Sequence, residues 1–187
     1  MRQRVTAVVL CGGRGTRLGG ADKPLLAWRG RPLVEHVVTA LTPQVEQLLI
    51  SANRNPDQYR RYAPVVTDRE PGYAGPLAGI DAALAVIDSG FLLVCPGDAP
   101  RVPPDLAARL GAGLEECNAE AAVAHDGTRR QPLHLLLAGT TAKALRDYLA
   151  AGGRSVAGWL ERIRTADVDF ADSAPAFVSL NTWDQFD

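Results

Sequence analysis

Lysine is almost missing from this chain: of 20 basic residues only Lys23 and Lys143 are lysines, the rest being arginine. A lysine inside a motif therefore stands out. Cysteine is scarce too. Cys11, Cys95 and Cys117 are scattered and odd in number, which excludes a disulfide framework and a cysteine-based metal site and fits reduced thiols. No run approaches the roughly 20 apolar residues of a membrane span, and the N-terminus has no long apolar segment of the secretory kind. A cytoplasmic protein is expected. There is no excess of one charge: 20 basic against 21 acidic residues leave a net charge of −1, with no reason to expect nucleic acid or an anionic membrane as partner. His36, His125 and His134 share neither metal nor triad spacing and read as structural, and no serine or cysteine has a convincing base partner for covalent catalysis. Repeats and low-complexity tracts are absent.

What is present is enough for one ordinary domain. The 187 residues are 47% hydrophobic, and a chain of this size buries roughly 70% of its unfolded surface. Short apolar runs alternate with helical patterns, the signature of βαβ units and a parallel sheet. Residues 5–10, apolar on both faces, predict a buried strand; 47–51, 64–67 and 91–95 predict three more. Helices are expected over 32–41, 76–87 and from Pro103-Pro104 to about 114. Beyond lies a more mixed part: strands at 121–125, 133–137 and 166–170, with helices at 141–151 and 156–163. The expected fold is α/β, a doubly wound, mostly parallel sheet with helices on both faces. It forms a single domain over 1–187, with a nucleotide site in about 1–110 and an acceptor site in about 111–187.

The strongest motif runs from Leu10 to Lys23, Leu-Cys-Gly-Gly-Arg-Gly-Thr-Arg-Leu-Gly-Gly-Ala-Asp-Lys. It begins where the first strand ends, the place where open α/β sheets bind ligands. Glycines 12, 13, 15, 19 and 20 let the backbone turn and bring N–H groups close to phosphate oxygens, while Arg14, Arg17 and Lys23 add positive charge. Phosphoryl transfer needs positioning and charge neutralisation above all. Two familiar phosphate loops are excluded. No Gly-Lys precedes Ser or Thr, as a P-loop requires. A dinucleotide fingerprint would need glycine where Leu18 stands and an acid where the second strand ends at Ser51. A second motif, Cys95-Pro96-Gly97-Asp98-Ala99-Pro100, also closes a strand. Mg²⁺ takes one or two carboxylates plus substrate phosphates; Asp98 is placed to be one, and Asp68, after Val65-Val66-Thr67, to assist. A third, residues 72–79, is an uncharged glycine loop opening a helix and suits a base or sugar.

Together these segments resemble the molybdenum cofactor guanylyltransferase family. Further matches are Ser51-Ala52-Asn53-Arg54, Gln131-Pro132-Leu133 and Asn181-Thr182, so the likeness runs along nearly the whole chain. The resemblance implies a Rossmann-like fold and a Mg²⁺-dependent enzyme that joins GMP from GTP to molybdopterin carrying molybdenum, releasing pyrophosphate. It implies nucleotide contacts at Leu10, Cys11, Gly12, Lys23, Ser51, Asp68 and Asp98, with Asp98 the metal ligand. Gly13, Gly15, Gly75, Pro76 and Leu77 join them as parts of the loops. The family more often has Ala at 11 and Asn at 51; Cys11 would then act through its backbone, and Asn53 becomes a candidate base contact. Lys23, Arg17 and Asp98 are expected to carry catalysis. Gln131, Arg154 and Asn181 are expected on the acceptor side, Arg154 through an anion site with the helix that follows it. The implied partners are GTP and molybdopterin, with other cofactor-biosynthesis proteins besides, and a monomer is expected. A cytidylyltransferase on the same pterin, a sugar-phosphate nucleotidyltransferase and a non-catalytic nucleotide-binding adaptor are the alternatives.

Overall fold

The computed structural model describes residues 4–12, 21–69, 75–87 and 90–180. Along the chain run β1 (Val5–Leu10), a small hairpin of β2 (Ala27–Trp28) and β3 (Arg31–Pro32), α1 (Leu33–Leu41), β4 (Gln47–Ser51), α2 (Pro56–Tyr59), β5 (Val65–Val66) and α3 (Pro76–Leu84). β6 (Phe91–Pro96), α4 (Leu106–Glu116), β7 (Ala121–His125), β8 (Arg130–Ala138), α5 (Ala142–Ala150), α6 (Val156–Leu160) and β9 (Thr165–Asp169) complete it. Seven strands form one sheet in the order β5-β4-β1-β6-β8-β7-β9. The pairings of β1 with β4 and β6, β4 with β5, and β7 with β9 are parallel; β8 runs antiparallel to both its neighbours. The mostly parallel α/β sheet is thus the expected one, and β8 is the source of its mixed second half.

Side-chain alternation divides the core between the two faces. Ala7 and Val9 of β1 point to one side, where Val37 and Leu41 of α1 and Leu106 and Leu110 of α4 cover them. Val8 points to the other, beneath Leu77 and Ile80 of α3, Leu145 and Leu149 of α5, and Trp159 of α6. Truncating such a fully buried leucine to alanine costs about 2–5 kcal/mol. Element ends differ from expectation where local chemistry intervenes. α4 starts at Leu106, since Pro103 and Pro104 stand ahead of the helix, and α3 stops at Leu84. The hairpin and α2 have too few residues to show a period. The hairpin turns on Arg29 and Gly30, both left-handed, and α2 follows a left-handed Asn55 into Pro56. Between β7 and β8, the Asp126 carboxylate accepts from the Thr128 hydroxyl and from the Thr128 and Arg129 N–H groups, which holds it below the usual carboxylate range.

His134 sits inside β8, 3% exposed, edge-on to Phe177. Burial holds its imidazole down to about 4 from an ordinary 6.5, the Asp98 carboxylate acting in the opposite sense. An unfolded chain takes up this proton near 6.5, whereas the folded chain does so only near 4. Stability is therefore complete above the upper value and falls as pH drops through the window, by at most about 1.4 kcal/mol per pH unit. In urea titrations His134→Leu is expected to show a shallower loss of stability than wild type across that window. Parallel slopes would contradict the assignment.

Candidate functional site

The site begins with two strand ends. β1 and β6 lie side by side, Leu10 opposite Pro96, and the Gly97 N–H continues the ladder to the Leu10 carbonyl at 2.9 Å. A β-carbon at Gly97 would fall 2.7 Å from Cys11 Sγ and 3.2 Å from Pro24 Cβ. A side chain at 97 would press on Cys11 and on the turn at residues 22–26, which settles against this edge. That turn is a tight one, with the Leu25 N–H on the Asp22 carbonyl at 2.9 Å and the Leu26 N–H on the Lys23 carbonyl at 3.0 Å, around a buried Pro24. Its position brings Lys23 Nζ to 2.6 Å from Asp98 Oδ2. The two side chains are 15% and 27% exposed, open enough for a ligand to reach. Ser179 Oγ donates to Asp98 Oδ1 at 3.2 Å, and the Leu180 N–H to the Asp98 carbonyl at 3.2 Å.

The pair faces a cavity of about 700 Å³, within the usual range for small-molecule sites. Of the expected nucleotide contacts, Leu10, Cys11, Gly12, Lys23, Ser51, Asn53, Asp68, Gly75, Pro76 and Asp98 all line it. Among the described residues nothing lies within 4 Å of where the Gly12 β-carbon would be. Gly75 has φ +112°, a conformation that favours glycine, and leads into Pro76 at the first turn of α3. Ser51, at the end of β4, is buried against Gly79 of α3, where a β-carbon would stand 2.3 Å from Ser51 Oγ. A short residue at 51 and glycine at 79 go together.

Several expected residues have other work. The Cys11 N–H is not open to a ligand, because it donates to the Ser51 carbonyl at 2.8 Å. Asn53 Oδ1 accepts the Asp68 N–H at 3.0 Å, so this side chain steadies the Asp68 loop. Leu77 is packed in the core and is not among the lining residues. Neither Gln131 nor Arg154 lines the cavity. Gln131 Nε2 donates to Asp126. Arg154 donates to the carbonyls of Leu149 at 3.0 Å and Gly153 at 2.7 Å, closing the end of α5, and the N–H of Gly158 in α6 is taken by Ser155 Oγ. Among the described lining residues Leu133 alone comes from beyond position 110. Gly13, Gly15, Arg17 and Asn181 lie outside the described residues, as do Arg14 and 72–74. Asp22, Arg54 and Pro96, which lie within the motifs read from the sequence, line the cavity as well, and so does Pro24, for which adjacency to Lys23 was the available signal.

Electrostatics argue against a thiol nucleophile. Burial, and after it the Asp22 carboxylate, push the Cys11 thiol well above its ordinary range, so it stays protonated. For a cation, Asp98 and Asp68 offer hard oxygen donors on one cavity. Among the described residues no group of three or more His, Cys, Asp or Glu could enclose a metal. Two carboxylates fit an ion whose remaining ligands are phosphates and water.

Comparison with known proteins shows the family. The model of a family described as MobA-like NTP transferase domain matches residues 7–165. A protein of Shewanella amazonensis named molybdenum cofactor guanylyltransferase is 42% identical over 99% of this chain and 95% of its own. One of the same name from Shewanella halifaxensis is 41% identical, covering 99% and 93%. The crystal structure of molybdopterin-guanine dinucleotide biosynthesis protein A from Archaeoglobus fulgidus superposes with TM-score 0.80 at 26% identity, over 97% of this chain and 94% of that one.

The contact at Gly97 generates a test. Gly97→Ala is expected to lower stability by about 1–3 kcal/mol, the ordinary cost of overpacking, because a strand carbonyl and a buried proline ring flank the new methyl. An unchanged urea midpoint would show that the strand ends have room to spare.

Proposed function

The chain belongs to the MobA-like NTP transferase family, and from that premise we propose that it transfers GMP from GTP to the terminal phosphate of molybdopterin carrying molybdenum, releasing pyrophosphate. The observation that carries the reading is the pair of Lys23 and Asp98, 2.6 Å apart on the wall of a nucleotide-sized cavity. An acceptor phosphate oxygen forms a bond to the α-phosphorus. The bond from that phosphorus to the bridging oxygen breaks, and its electron pair leaves with pyrophosphate. The attacking oxygen is already anionic, so no general base is required.

Each residue has a task in this scheme. Lys23 exchanges its carboxylate partner for phosphate oxygens and offsets the charge that grows on the leaving group. The open backbone at Gly12 faces the same oxygens, and Arg17 is assigned to them as well. Asp98, with Asp68, would hold Mg²⁺ together with the nucleotide phosphates; the ion, when bound, neutralises phosphate charge. Gly75 and Pro76, uncharged and at the start of α3, suit the purine. The names of the relatives favour guanylyl over cytidylyl or sugar-phosphate chemistry.

Lys23→Ala is expected to lower kcat about 10²–10³-fold, the loss typical of one electrostatic donor, with a much smaller rise in the KM for GTP. A single-turnover rate within twofold of wild type would remove Lys23 from this role. Asp98→Asn keeps the shape and loses the charge; Mg²⁺ concentrations that saturate wild type should no longer support turnover, and an unchanged Mg²⁺ dependence would point to Asp68 instead. Turnover with GTP should exceed that with CTP or ATP, and equal use of CTP would move the chain to the cytidylyl alternative.

A further inference from the structure

Asp22 is the lining carboxylate for which the reaction above has no use, and its surroundings are unusually defined. Tyr59 donates its hydroxyl to Asp22 Oδ1 at 2.7 Å, and Asn55 Nδ2 donates to Asp22 Oδ2 at 2.8 Å. Both oxygens are thus held from the one short helix α2 and the residue before it. Asn55 is held at φ 49°, in the left-handed region. Tyr59 is fully buried in the core with Val34, Val37 and Ala63. Burial, followed by the nearby Cys11 and the Asp22 contact, keeps its hydroxyl protonated. A phenol rooted in the core therefore holds Asp22, where the Lys23 turn starts.

We propose that Tyr59 is a positioning residue for the transfer reaction: by holding the Asp22 carboxylate it fixes the 22–25 turn and hence where Lys23 Nζ stands. The inference rests on the role given to Lys23 above. The physical reason is leverage. Lysine has a long flexible side chain that is costly to order, so its root must be rigid for its charge to be aimed. The turn's own bonds fix Lys23 relative to Asp22. They do not fix Asp22 relative to the sheet: the packing of buried Pro24 beside Gly97 anchors the turn at its middle, and the two side-chain bonds from Tyr59 and Asn55 anchor it at its start. A hydrogen bond to a charged group contributes more than one between neutral groups, and here the charge is the anchor.

The test is a double-mutant cycle. Tyr59→Phe deletes the hydroxyl and keeps the buried ring. Single-turnover GMP transfer from GTP to molybdopterin is measured for wild type, Tyr59→Phe, Lys23→Ala and the double variant, with thermal midpoints recorded alongside. Tyr59→Phe is expected to lower the rate about tenfold, comparable to one hydrogen bond to a charge, with the KM for GTP within twofold. In the Lys23→Ala background the same change should have no further effect, since nothing remains to be aimed. An equal fall in both backgrounds, or a lower midpoint with an unchanged rate, overturns the proposal. Should Tyr59→Phe fail to fold, Asn55→Gly, which removes the donor on the same carboxylate and suits the left-handed backbone of this exposed position, completes the cycle with the same two outcomes. A Lys23→Ala variant as fast as wild type would instead overturn the role of Lys23, so the two failures are distinct.

Discussion

Two opposite charges separated by 75 positions in sequence must meet at the edge of one sheet, and much of this molecule arranges that meeting. Lys23 and Asp98 come from segments that follow neighbouring parallel strands, so hydrogen bonding between β1 and β6 already brings their roots close. The rest is steric. Gly97 leaves room for the Pro24 turn, and Pro24 fills it. A partly exposed ion pair adds little stability, so its value lies elsewhere: each partner is charged, oriented and ready to take a ligand of opposite sign.

The sheet order explains why this edge is the one used. β1 stands between β4 and β6, so the ends of three parallel strands carry Ser51, the Cys11–Gly12 exit and Gly97-Asp98 to the same side. Helix α3 then brings Gly75, Pro76 and Gly79 across the β4 end. β8 ends the parallel run next to β6 and contributes Leu133 to the wall. Behind the site, His134 packs against Phe177, and Ser179 and Leu180, just after it in the chain, close on Asp98.

Much of this was legible in the residues, for reasons that can be named. β1, β4 and β6 could be read from their short apolar runs, and Lys23 and Asp98 because a rare lysine closed a motif that begins at one strand end and a carboxylate stood in a motif at another. The direction and place of β8 could not, since a two-residue period carries no information on pairing partners. The hairpin at 27–32 and α2 were too short for any period. Tyr59 reads as one more aromatic in a polar stretch; only the fold turns its hydroxyl toward Asp22. Arg154 followed two glycines and preceded a helix, an arrangement that suits an anion. The left-handed turn at Gly152, φ +88°, instead sends the chain back so that the guanidinium meets the Leu149 carbonyl of α5. Local pattern cannot show such a return.

The central claim is that this edge activates the α-phosphorus of a bound nucleotide for attack by an acceptor phosphate. The direct measurement uses two samples of GTP, one carrying ³²P at the α and the other at the γ position, each incubated with the protein, Mg²⁺ and molybdopterin. Label from the α position should appear in the pterin product, and label from the γ position only in pyrophosphate. Transfer of the γ label to the pterin, or release of the α label as free GMP with none in the pterin, would contradict the account.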